Sequence, residues 1–413
     1  MERPAPHHHT PRGGLTVPHH SGSRAVVVGG SIGGLTAALL LRKLGFDVDV
    51  FERTPTPLDN RGGGLVLQPI MMKWFDGHSA RRIEELSTET TRLRYLGPRD
   101  EVLYEGPFDW RCTSWGTVYR ALLSDFGGER YHLGEFCAGI SQDSDQVELR
   151  FVTGRVERAD LVVFADGITS TGRQRLYPTV QRRYSGYVGW RGTVREDRLT
   201  DGTRTLLADS ITYSVAPNTH AVMYTIPGMD GELEHGRRLL NYVWYRNVAD
   251  GPELHELITD TKGFEAPVSM HPGSVQQRYV DEMREAAARQ LAPAVAEVIM
   301  RTEQPYLQVV SDIRIPRMAH GRIAVIGDAA FAVRPHPAAG SAKAAADAWT
   351  LYERLQARPG SIAEALAAWE PAQLELGNRL LDRAAAMGAR SQVTSTWTPG
   401  DPDLLPGLYG PGR

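Results

Sequence analysis

The stretch RIAVIGDAAFAVRPHPAAGSAKAAADA, residues 322–348, decides the fold of this chain. Residues 323–326 form an apolar run that is typical of a buried β-strand, and Gly327 and Asp328 end this run. A loop of Pro, His and small residues follows, and an alanine-rich pattern with helical spacing comes after the loop. The stretch therefore predicts a strand with an acid at its carboxyl end, followed by a loop and a helix.

A second stretch, residues 24–53, has the pattern of a nucleotide-binding βαβ unit. It reads RAVVVGGSIGGLTAALLLRKLGFDVDVFER. A β-branched run leads into a glycine-rich turn, a helical pattern and an alternating second strand. The turn matches the dinucleotide fingerprint G-x-G-x-x-G, except that Ser31 stands at the second glycine. The two stretches together predict one dinucleotide site built from both ends of the chain.

The residues of this unit have distinct physical tasks. Gly29 permits the tight turn, and Gly34 lets the helix lie close to the strand. The amino end of the helix offers free N–H groups and a positive dipole end to a pyrophosphate. Glu52 is placed to accept a hydrogen bond from the adenosine ribose. Arg53 and the distant Asp328 favour FAD over NAD, because a plain NAD site requires no second acid there.

A third signal lies between the other two. Residues 146–164 predict a β-hairpin, and Asp166 and Gly167 follow at its end, with Arg173 in a helical segment beyond. An acid and a donor at a strand's carboxyl edge favour a ligand in an α/β crevice. The alternative is a tight turn in which Asp166 caps a helix.

The chain between residues 181 and 315 has a different character. Aromatic-rich runs predict strands of an antiparallel sheet that forms the wall of a pocket. The predicted fold class is therefore α/β, a Rossmann-like FAD-binding domain with a second, mainly antiparallel β-sheet substrate domain and C-terminal helices. The predicted strands are 186–194, 212–215, 221–226 and 238–245, and the predicted helices are 252–260, 275–291, 294–301 and 360–387.

These patterns also predict a division of the chain into units. The FAD-binding domain is expected to be discontinuous, with residues 24–72, 102–180 and 310–390. The substrate domain is expected over residues 73–101 and 181–309.

Composition limits the function. The chain has 413 residues, 41% of them apolar and 23% charged, with a formal net charge of −3. That balance is typical of a globular protein and argues against nucleic-acid binding. Two cysteines are too few for a disulfide framework, and no apolar run is long enough to predict a membrane span or a secretory signal. The expected compartment is the cytoplasm.

The two ends of the chain lack apolar periodicity. Residues 1–23 are predicted to be disordered, and the histidines at 7–9 and 19–20 have no acid or Cys partner that would make a metal site. No metal is expected elsewhere. Residues 391–413 are predicted to form an extended C-terminal tail, packed by Trp397, Leu404, Leu405 and Tyr409.

The three motifs in this order resemble those of the single-component FAD-dependent aromatic hydroxylases, the para-hydroxybenzoate hydroxylase-like flavoprotein monooxygenases. The motifs are VVVGGSIGGL…FER, FADG…R and RIAVIGDAA…RPHPAAG, and the resemblance covers residues 24–390. Residues 66–69, 186–192, 244–248 and 334–336 narrow it to members that act on hydroxypyridines. The resemblance implies that NAD(P)H reduces FAD and that O2 then forms a C4a-hydroperoxyflavin, which hydroxylates an electron-rich aromatic or heteroaromatic ring. It also favours a homodimer.

The resemblance implies roles for the matching positions. The turn and Glu52 would hold the ADP half of FAD. Arg53 and Arg120 would lie along the cofactor. Asp166 would serve both FAD and the approach of NAD(P)H. Asp328 would bond the ribityl chain. The residues expected to line the isoalloxazine face are Pro335, Ala338, Ala339 and Gly340. Family members often have Gly where this chain has Ala338, and His where it has Phe331.

A base above the flavin would help to ionise a ring hydroxyl. His336 is the first candidate, since its loop should border the ring; the alternative is that it only fixes the shape of the loop. Tyr213 and His220 are further catalytic candidates, although packing is an equally simple role for each. The residues predicted to contact substrate are Gln68, Trp190, Arg191 and Tyr224.

Three other functions remain open from the sequence. One is a flavin reductase or oxidase without oxygen insertion, and another is a natural-product tailoring enzyme that performs epoxidation or Baeyer–Villiger insertion. A binding protein without catalysis is the third. The fold alone does not distinguish among them, because function depends on the site.

Overall fold

The computed structural model describes residues 20–58 and 63–413. Within them the chain forms three β-sheets and ten α-helices. The strands are β1 Arg24–Val28, β2 Asp47–Glu52, β3 Gly64–Leu67, β4 Thr88–Leu96, β5 Val102–Ser114, β6 Tyr131–Leu133, β7 Cys137–Gln142, β8 Val147–Phe151, β9 Val156–Ala159, β10 Leu161–Phe164, β11 Arg183–Arg195, β12 Ser210–Ala216, β13 Thr219–Ile226, β14 Leu239–Asn247, β15 Tyr306–Asp312, β16 Ala319–His320 and β17 Ile323–Val325. The helices are α1 Ile32–Lys43, α2 Pro69–Met72, α3 Trp115–Phe126, α4 Thr171–Leu176, α5 Asp201–Leu207, α6 Pro252–Leu257, α7 Gln277–Gln290, α8 Pro293–Arg301, α9 Gly340–Ala357 and α10 Ile362–Gln392.

The first sheet has the order β16-β17-β10-β1-β2-β6. All of its neighbours are parallel except β16 and β17. Val27 pairs with Val163 on one side and Val50 on the other, and all three side chains are fully buried. Because α1 covers one face and the strands β7 to β9 cover the other, these central strands are apolar throughout rather than alternating. The first and last predicted motifs therefore meet in one Rossmann-like sheet.

The second sheet has the order β15-β11-β14-β13-β12-β4-β5-β3. Its strands are antiparallel to their neighbours apart from the parallel pair β12 and β4. Helices α7 and α8 pack on one face, where their apolar residues form a core with the even-numbered residues of β11 and β14. The predicted fold class, including the C-terminal helices, is confirmed.

The predicted hairpin over residues 146–164 is divided differently from the prediction. β8 and β9 pair in a small sheet with β7, but the chain leaves this sheet at Asp160. Its continuation, β10, lies between β1 and β17 in the parallel sheet. The Asp160 carboxylate accepts a hydrogen bond from the backbone N–H of Arg24 at 2.7 Å, which fixes the crossing point.

The described parts of the two chain termini are folded against the molecule. Residues 20–23 lie in a turn before β1, and the His20 ring stacks on Phe46 with centroids 4.3 Å apart. Residues 1–19, including the other predicted histidines, lie outside the described residues. The C-terminal tail folds back on the molecule: Trp397 and Leu404 are buried, whereas Tyr409 is 54% exposed.

The division into two units stays a prediction. The strands β3 and β5, which that division assigns to the cofactor unit, hydrogen-bond within the eight-stranded sheet. Within residues 20–58 and 63–413, none of the helices combines the length and the apolar character that a bilayer span requires.

Candidate active site

Three connected cavities lie between the two large sheets. Their volumes are about 590, 150 and 80 Å³. Ser31 lines the second and third cavities, Asp328 and Gly340 line the third and first, and Trp115 lines all three. The shared walls make one elongated trough, which runs from the turn after β1 to the exposed face of the eight-stranded sheet.

The turn after β1 has no space for a side chain at two of its glycines. Gly29 has φ +102°, and a Cβ atom there would lie 2.4 Å from the carbonyl oxygen of Ala165. A Cβ atom at Gly34 would lie 1.9 Å from the carbonyl oxygen of Gly29. Ser31 is the N-cap residue of α1 and has extended backbone, but its side chain makes no capping hydrogen bond. The amino end of α1 therefore keeps donors available to an anion.

Glu52 closes the adenosine end of the trough. One carboxylate oxygen accepts the backbone N–H of Gly30 at 2.9 Å, and the other accepts the N–H of Thr54 at 3.0 Å. The carboxylate lines the second cavity while it holds the turn in place. Arg53 lies at the surface and donates to the Thr169 hydroxyl at 2.6 Å, between the first and second cavities.

Asp166 caps a helix and also lines a cavity. One oxygen accepts the backbone N–H groups of Thr171 at 2.7 Å and Gly172 at 3.3 Å, and thereby caps α4. The other oxygen is buried without a hydrogen-bond partner in the described structure. Burial raises the pKa of this carboxyl, and the residue lines the second cavity. An unsatisfied acceptor at this position fits a donor group on a bound ligand.

Asp328 follows β17 and projects into the trough. Burial raises its pKa to about 6, an effect that Arg173 and Lys343 oppose. The preceding residue, Gly327, donates its N–H to Asp347 at 2.9 Å, and Asp347 pairs with Lys343 at 2.5 Å. This buried ion pair holds the turn that carries Asp328.

The loop after Asp328 forms the floor of the largest cavity. Ala338 has φ +50°, a left-handed conformation that costs a residue with a Cβ about 1 kcal/mol. Its carbonyl accepts the Gln68 side-chain amide at 2.8 Å, and its N–H donates to the carbonyl of Pro335. Gln68 is outside the cavity lining, so it supports the loop from behind. The predicted loop residues that line the cavity are Pro335, Ala338, Ala339 and Gly340.

Phe331, where the family often has His, lies in the core. A Cβ atom at Gly377 would lie 2.6 Å from its ring, so α10 packs directly on it. The presence of Phe instead of His at position 331 therefore affects the packing of the core and not the wall of the cavity.

The eight-stranded sheet supplies the roof, and strand periodicity decides which residues face the trough. Successive side chains of a strand point to opposite faces. Arg191 lines the cavity, whereas its neighbour Trp190 belongs to the core on the opposite face. The prediction that Trp190 contacts substrate is therefore wrong, because its side chain lies on the face of the sheet opposite the cavity. The cavity residues from this sheet are Gly64, Leu65, Val66, Arg191, Ile211, Tyr213, His220, Val222, Tyr224, Val243, Tyr245, Tyr306 and Gln308.

One end of the roof is cationic. Arg191 lies beside the Tyr306 hydroxyl, and its Nε atom is buried without a partner among the described residues. It forms no ion pair with an acid in the part of the chain that the structure describes. Tyr224 lies beside the backbone of Gly64, whose N–H donates to the Asn241 side chain at 2.8 Å. A cation without a counter-ion favours an anionic or strongly polar ligand group.

The other end of the roof is aromatic and carries two histidines. His220 stacks on Trp397 at 4.4 Å and its Nδ1 atom is 2.5 Å from the Ser391 hydroxyl. Burial lowers the pKa of His220 to about 3 and holds the pKa of the Tyr213 hydroxyl well above its ordinary value. Tyr213 stacks on Tyr95 at 4.9 Å. Both candidates are therefore neutral near pH 7 in this environment.

His336 lies next to His220, with ring centroids 5.3 Å apart. Its Nε2 atom is 2.7 Å from the hydroxyl of Tyr187, and its Nδ1 atom is buried without a partner. Burial, followed by His220 and Arg334, lowers the pKa of His336 well below its ordinary value. Arg334 forms a two-pronged ion pair with Asp312, with a shortest distance of 2.8 Å.

The structure brings most of the predicted site residues to one trough, with exceptions. Arg120 is exposed on α3 and lines none of the three cavities. Trp115, one residue after the N-cap Ser114 of α3, is a site residue that the sequence patterns did not reveal. Tyr245, which lines the largest of the three cavities, was also missed, as were the contacts of Tyr187 with His336 and of Trp397 with His220, because aromatic residues in strands and tails carry no local sign of what they contact.

Comparisons with known proteins bear on this trough. A family model described as FAD binding domain-like matches residues 184–312, and one described as an NAD(P)-binding Rossmann-like domain matches residues 27–82. The chain is 38% identical over 386 residues to the 2,6-dihydroxypyridine 3-monooxygenase of Paenarthrobacter nicotinovorans, covering 93% of this chain and 96% of that protein. It is 29% identical to the 3-amino-4-hydroxybenzoate 2-monooxygenase of Streptomyces cremeus, with coverage of 85% and 83%.

A solved structure gives the same result. The 2,6-dihydroxypyridine-3-hydroxylase from Arthrobacter nicotinovorans superposes with a TM-score of 0.88 at 37% identity, covering 94% of this chain and 97% of that chain. The resemblance inferred from the three motifs, including its narrower form, is confirmed.

Proposed function

We propose, from the premise that this chain belongs to the single-component FAD-dependent aromatic hydroxylases, that it hydroxylates a hydroxypyridine-like ring. As a flavoprotein monooxygenase of this family it uses FAD, NAD(P)H and O2. The observation that carries the proposal is the trough itself. Its nucleotide end opens into a cavity of about 590 Å³ with an aromatic roof and with Arg191, whose guanidinium forms no ion pair among the described residues.

FAD, when bound, supplies the redox chemistry by accepting electrons from NAD(P)H and activating O2 for insertion. The residues of the chain would bind and orient the cofactor and the substrate. We propose that the turn at Gly29, Ser31 and Gly34 holds the pyrophosphate, and that Glu52 holds the adenosine ribose. Asp166 and Asp328 would accept hydrogen bonds from cofactor hydroxyls along the trough.

The largest cavity has room for a single ring beside a flavin. We propose that Arg191 and Tyr224 contact the polar substituents of that ring, with Tyr213 and His220 at the opposite end. Apolar and aromatic walls exclude water, which protects a reactive site from side reactions. A hydroxypyridine suits this cavity, because it is flat, carries hydroxyl oxygens on its ring and ionises readily enough to bind the guanidinium of Arg191.

The predicted role of Asp328 gives a pH dependence. Its pKa of about 6 in the FAD-free protein should fall when a cofactor hydroxyl donates to the carboxylate, because that bond favours the ionised form. FAD affinity should therefore be constant above about pH 7 and decrease as the pH falls through 6. In Asp328→Asn this dependence should vanish and affinity at pH 7.5 should be roughly tenfold or more weaker. Flavin fluorescence titration between pH 5 and 8 measures the FAD affinity of the unaltered protein and of Asp328→Asn.

The same group affects the FAD-free fold with the opposite sign. Its folded-state pKa lies above the ordinary value of 3.8, so the fold loses stability as the pH rises from about 4 through 6. The melting temperature of FAD-free Asp328→Asn should consequently exceed that of the unaltered protein at pH 7.5, with a smaller difference at pH 4. An Asn variant that binds FAD as the original does at every pH would remove Asp328 from the site.

Replacement of His336 tests whether it acts at all in product formation. His336→Gln and His336→Ala should both retain FAD, since the residue lies beyond the cofactor's nucleotide end, and both should form product more slowly. The measurement is NADH consumption compared with product appearance. Full turnover in both variants would discard His336 as a base.

A substrate screen tests the proposed function. Purified protein is incubated with NADH or NADPH and a panel of hydroxypyridines and phenols, and O2 uptake and product mass are followed. A reductase or oxidase would consume NAD(P)H without adding oxygen to the ring. A tailoring enzyme would leave these single rings unchanged.

Two properties of the whole enzyme are also part of the proposal. The family resemblance favours a homodimer that acts in the cytoplasm. Sedimentation of the FAD-loaded protein at micromolar concentration would give twice the mass of 45.6 kDa for one chain, and a single-chain mass would exclude the dimer.

A further inference from the structure

The hydrogen bonds around His336 decide which of its ring nitrogens carries the proton. The network consists of Asp312, Arg334, Tyr187 and His336. A carbon placed at the Cβ position of Gly388 would lie 2.5 Å from the Tyr187 hydroxyl, 3.0 Å from His336 Nε2 and 3.2 Å from Arg334 Nη1. Two polar groups of one loop and a third from β11 therefore converge at one point, where α10 leaves room for them.

Arg334 can only donate hydrogen bonds. Its Nε and Nη2 atoms bond the Asp312 carboxylate, at 3.1 and 2.8 Å. The charge of its guanidinium lies near the Tyr187 hydroxyl and opposes the rise in the pKa of Tyr187 caused by burial. Because the arginine has no acceptor, it cannot take the hydroxyl hydrogen of Tyr187.

The hydroxyl hydrogen of Tyr187 needs an acceptor. Tyr187 is 1% exposed, and in the described chain its hydroxyl hydrogen-bonds only His336 Nε2. If Nε2 were protonated, it would donate to the Tyr187 oxygen, and the buried hydroxyl hydrogen would have no acceptor among the described residues, at a cost of about 1–3 kcal/mol. The other tautomer leaves only the Nδ1–H of His336 without an acceptor, and this side chain lines the cavity, where a ligand can accept from it. Nε2 is therefore the acceptor.

A neutral imidazole with an accepting Nε2 carries its proton on Nδ1. Burial keeps the ring neutral near pH 7, since it lowers the pKa of His336. The Nδ1 atom is buried and has no partner among the described residues, while the side chain lines the cavity. A buried N–H without an acceptor destabilises the folded protein, and an oxygen of a bound ligand would remove this cost by accepting from it.

We infer that His336 presents an Nδ1–H donor to a ring oxygen of the substrate, and that it acts as a hydrogen-bond donor rather than as a base. Tyr187 is the positioning residue that fixes this tautomer, and the nearby charge of Arg334 helps to keep the ring neutral. The inference rests on the proposed function for the identity of the ligand, but the tautomer depends on the network alone. It implies that the substrate carries an oxo or ionised hydroxyl group at the ring position near His336.

The tautomer is tested without substrate. Nitrogen NMR of the FAD-loaded protein, labelled in histidine and assigned by comparison with His336→Asn, reports which nitrogen is protonated. The expected result is a protonated Nδ1 and an unprotonated Nε2. A protonated Nε2 would overturn the inference. Tyr187→Phe, which removes the donor to Nε2, should alter the His336 signal and leave the amount of bound FAD unchanged.

The donor role is tested by three variants of one residue. An Asn amide nitrogen occupies about the position of imidazole Nδ1 and donates there, a Gln amide reaches only the position of Nε2, and Ala provides neither. None of the three takes up a proton near neutral pH. The probe is 2,6-dihydroxypyridine, whose binding to oxidised, FAD-loaded protein is followed by the change in flavin absorbance.

The donor role predicts that Asn binds the probe within about threefold of the unaltered protein, whereas Gln and Ala bind it about ten- to a hundredfold more weakly. Product formation should follow the same order. Three variants with equal, large losses of turnover and unchanged probe binding would show a base instead and would overturn the inference. If the unaltered protein binds the probe without inserting oxygen, the proposed function fails while these binding and NMR results still decide the role of His336.

Discussion

Gly29→Ala should remove FAD from the protein. The new methyl group would lie 2.4 to 2.7 Å from backbone atoms of Ala165 and Asp166, and backbone cannot move aside as a flexible side chain can. The residue would also be held at φ +102°, which strains any residue with a Cβ. Because the turn positions the amino end of α1, a shift of this backbone disturbs every donor to the pyrophosphate. We expect FAD to bind at least about a hundredfold more weakly, measured by the flavin content of purified protein and by titration.

A matched substitution separates the collision from the backbone strain. Gly127 has φ +82°, and a Cβ atom there would meet no atom within 4 Å. Gly127→Ala therefore carries a similar conformational cost, on the order of 1 kcal/mol, without a collision. It should retain a full complement of FAD with a slightly lower melting temperature. Equal FAD contents in the two variants would mean that the turn after β1 does not hold the cofactor.

Arg191→Met should weaken substrate binding strongly while FAD remains bound. The guanidinium lines the largest cavity, its Nε atom has no partner, and no acid among the described residues neutralises it. A hydrogen bond between a charged group and a ring oxygen contributes about 1.5–3 kcal/mol, so its loss corresponds to roughly ten- to a hundredfold weaker binding. The dissociation constant of 2,6-dihydroxypyridine, followed by flavin absorbance, measures this effect.

Two further substitutions control for this variant. Arg195 lies on the same strand and is paired with Asp197 at the surface at 2.7 Å. Arg195→Met should leave probe binding unchanged. Arg191→Lys keeps the charge but loses the planar fork of donors, so it should recover only part of the affinity. Normal probe affinity in Arg191→Met would place the polar contacts of the substrate elsewhere in the cavity.

The parallel half of the fold could be predicted from sequence because its signals are local. The turn at Gly29, the acid at Glu52 and the Gly327–Asp328 end of β17 are each recognisable within a few residues. The antiparallel strands were also predictable from their aromatic and β-branched runs. The end of β9 was not, because the chain changes sheets at Asp160 for reasons of tertiary packing that no periodicity of residues 156–164 reveals.

The catalytic half of the site could be predicted only in part. Trp190 and Arg191 are adjacent, and only the register of β11 in the sheet decides which of them faces the trough. The role of His336 depends on Tyr187, which is 149 residues away, and the tail residue Trp397 reaches His220 from the far end of the chain. Such contacts are set by packing between distant elements, so the sequence identified the histidine but not the state of its proton.

The most direct test of the account is the fate of oxygen in one turnover. FAD-loaded protein is mixed with NADH, 2,6-dihydroxypyridine and isotope-labelled O2, and the product is analysed by mass spectrometry. The account predicts a ring product that contains one labelled oxygen atom, with one NADH consumed for each product molecule formed. NADH consumption that yields only hydrogen peroxide and unchanged ring, for this and every other hydroxypyridine or phenol, would contradict it.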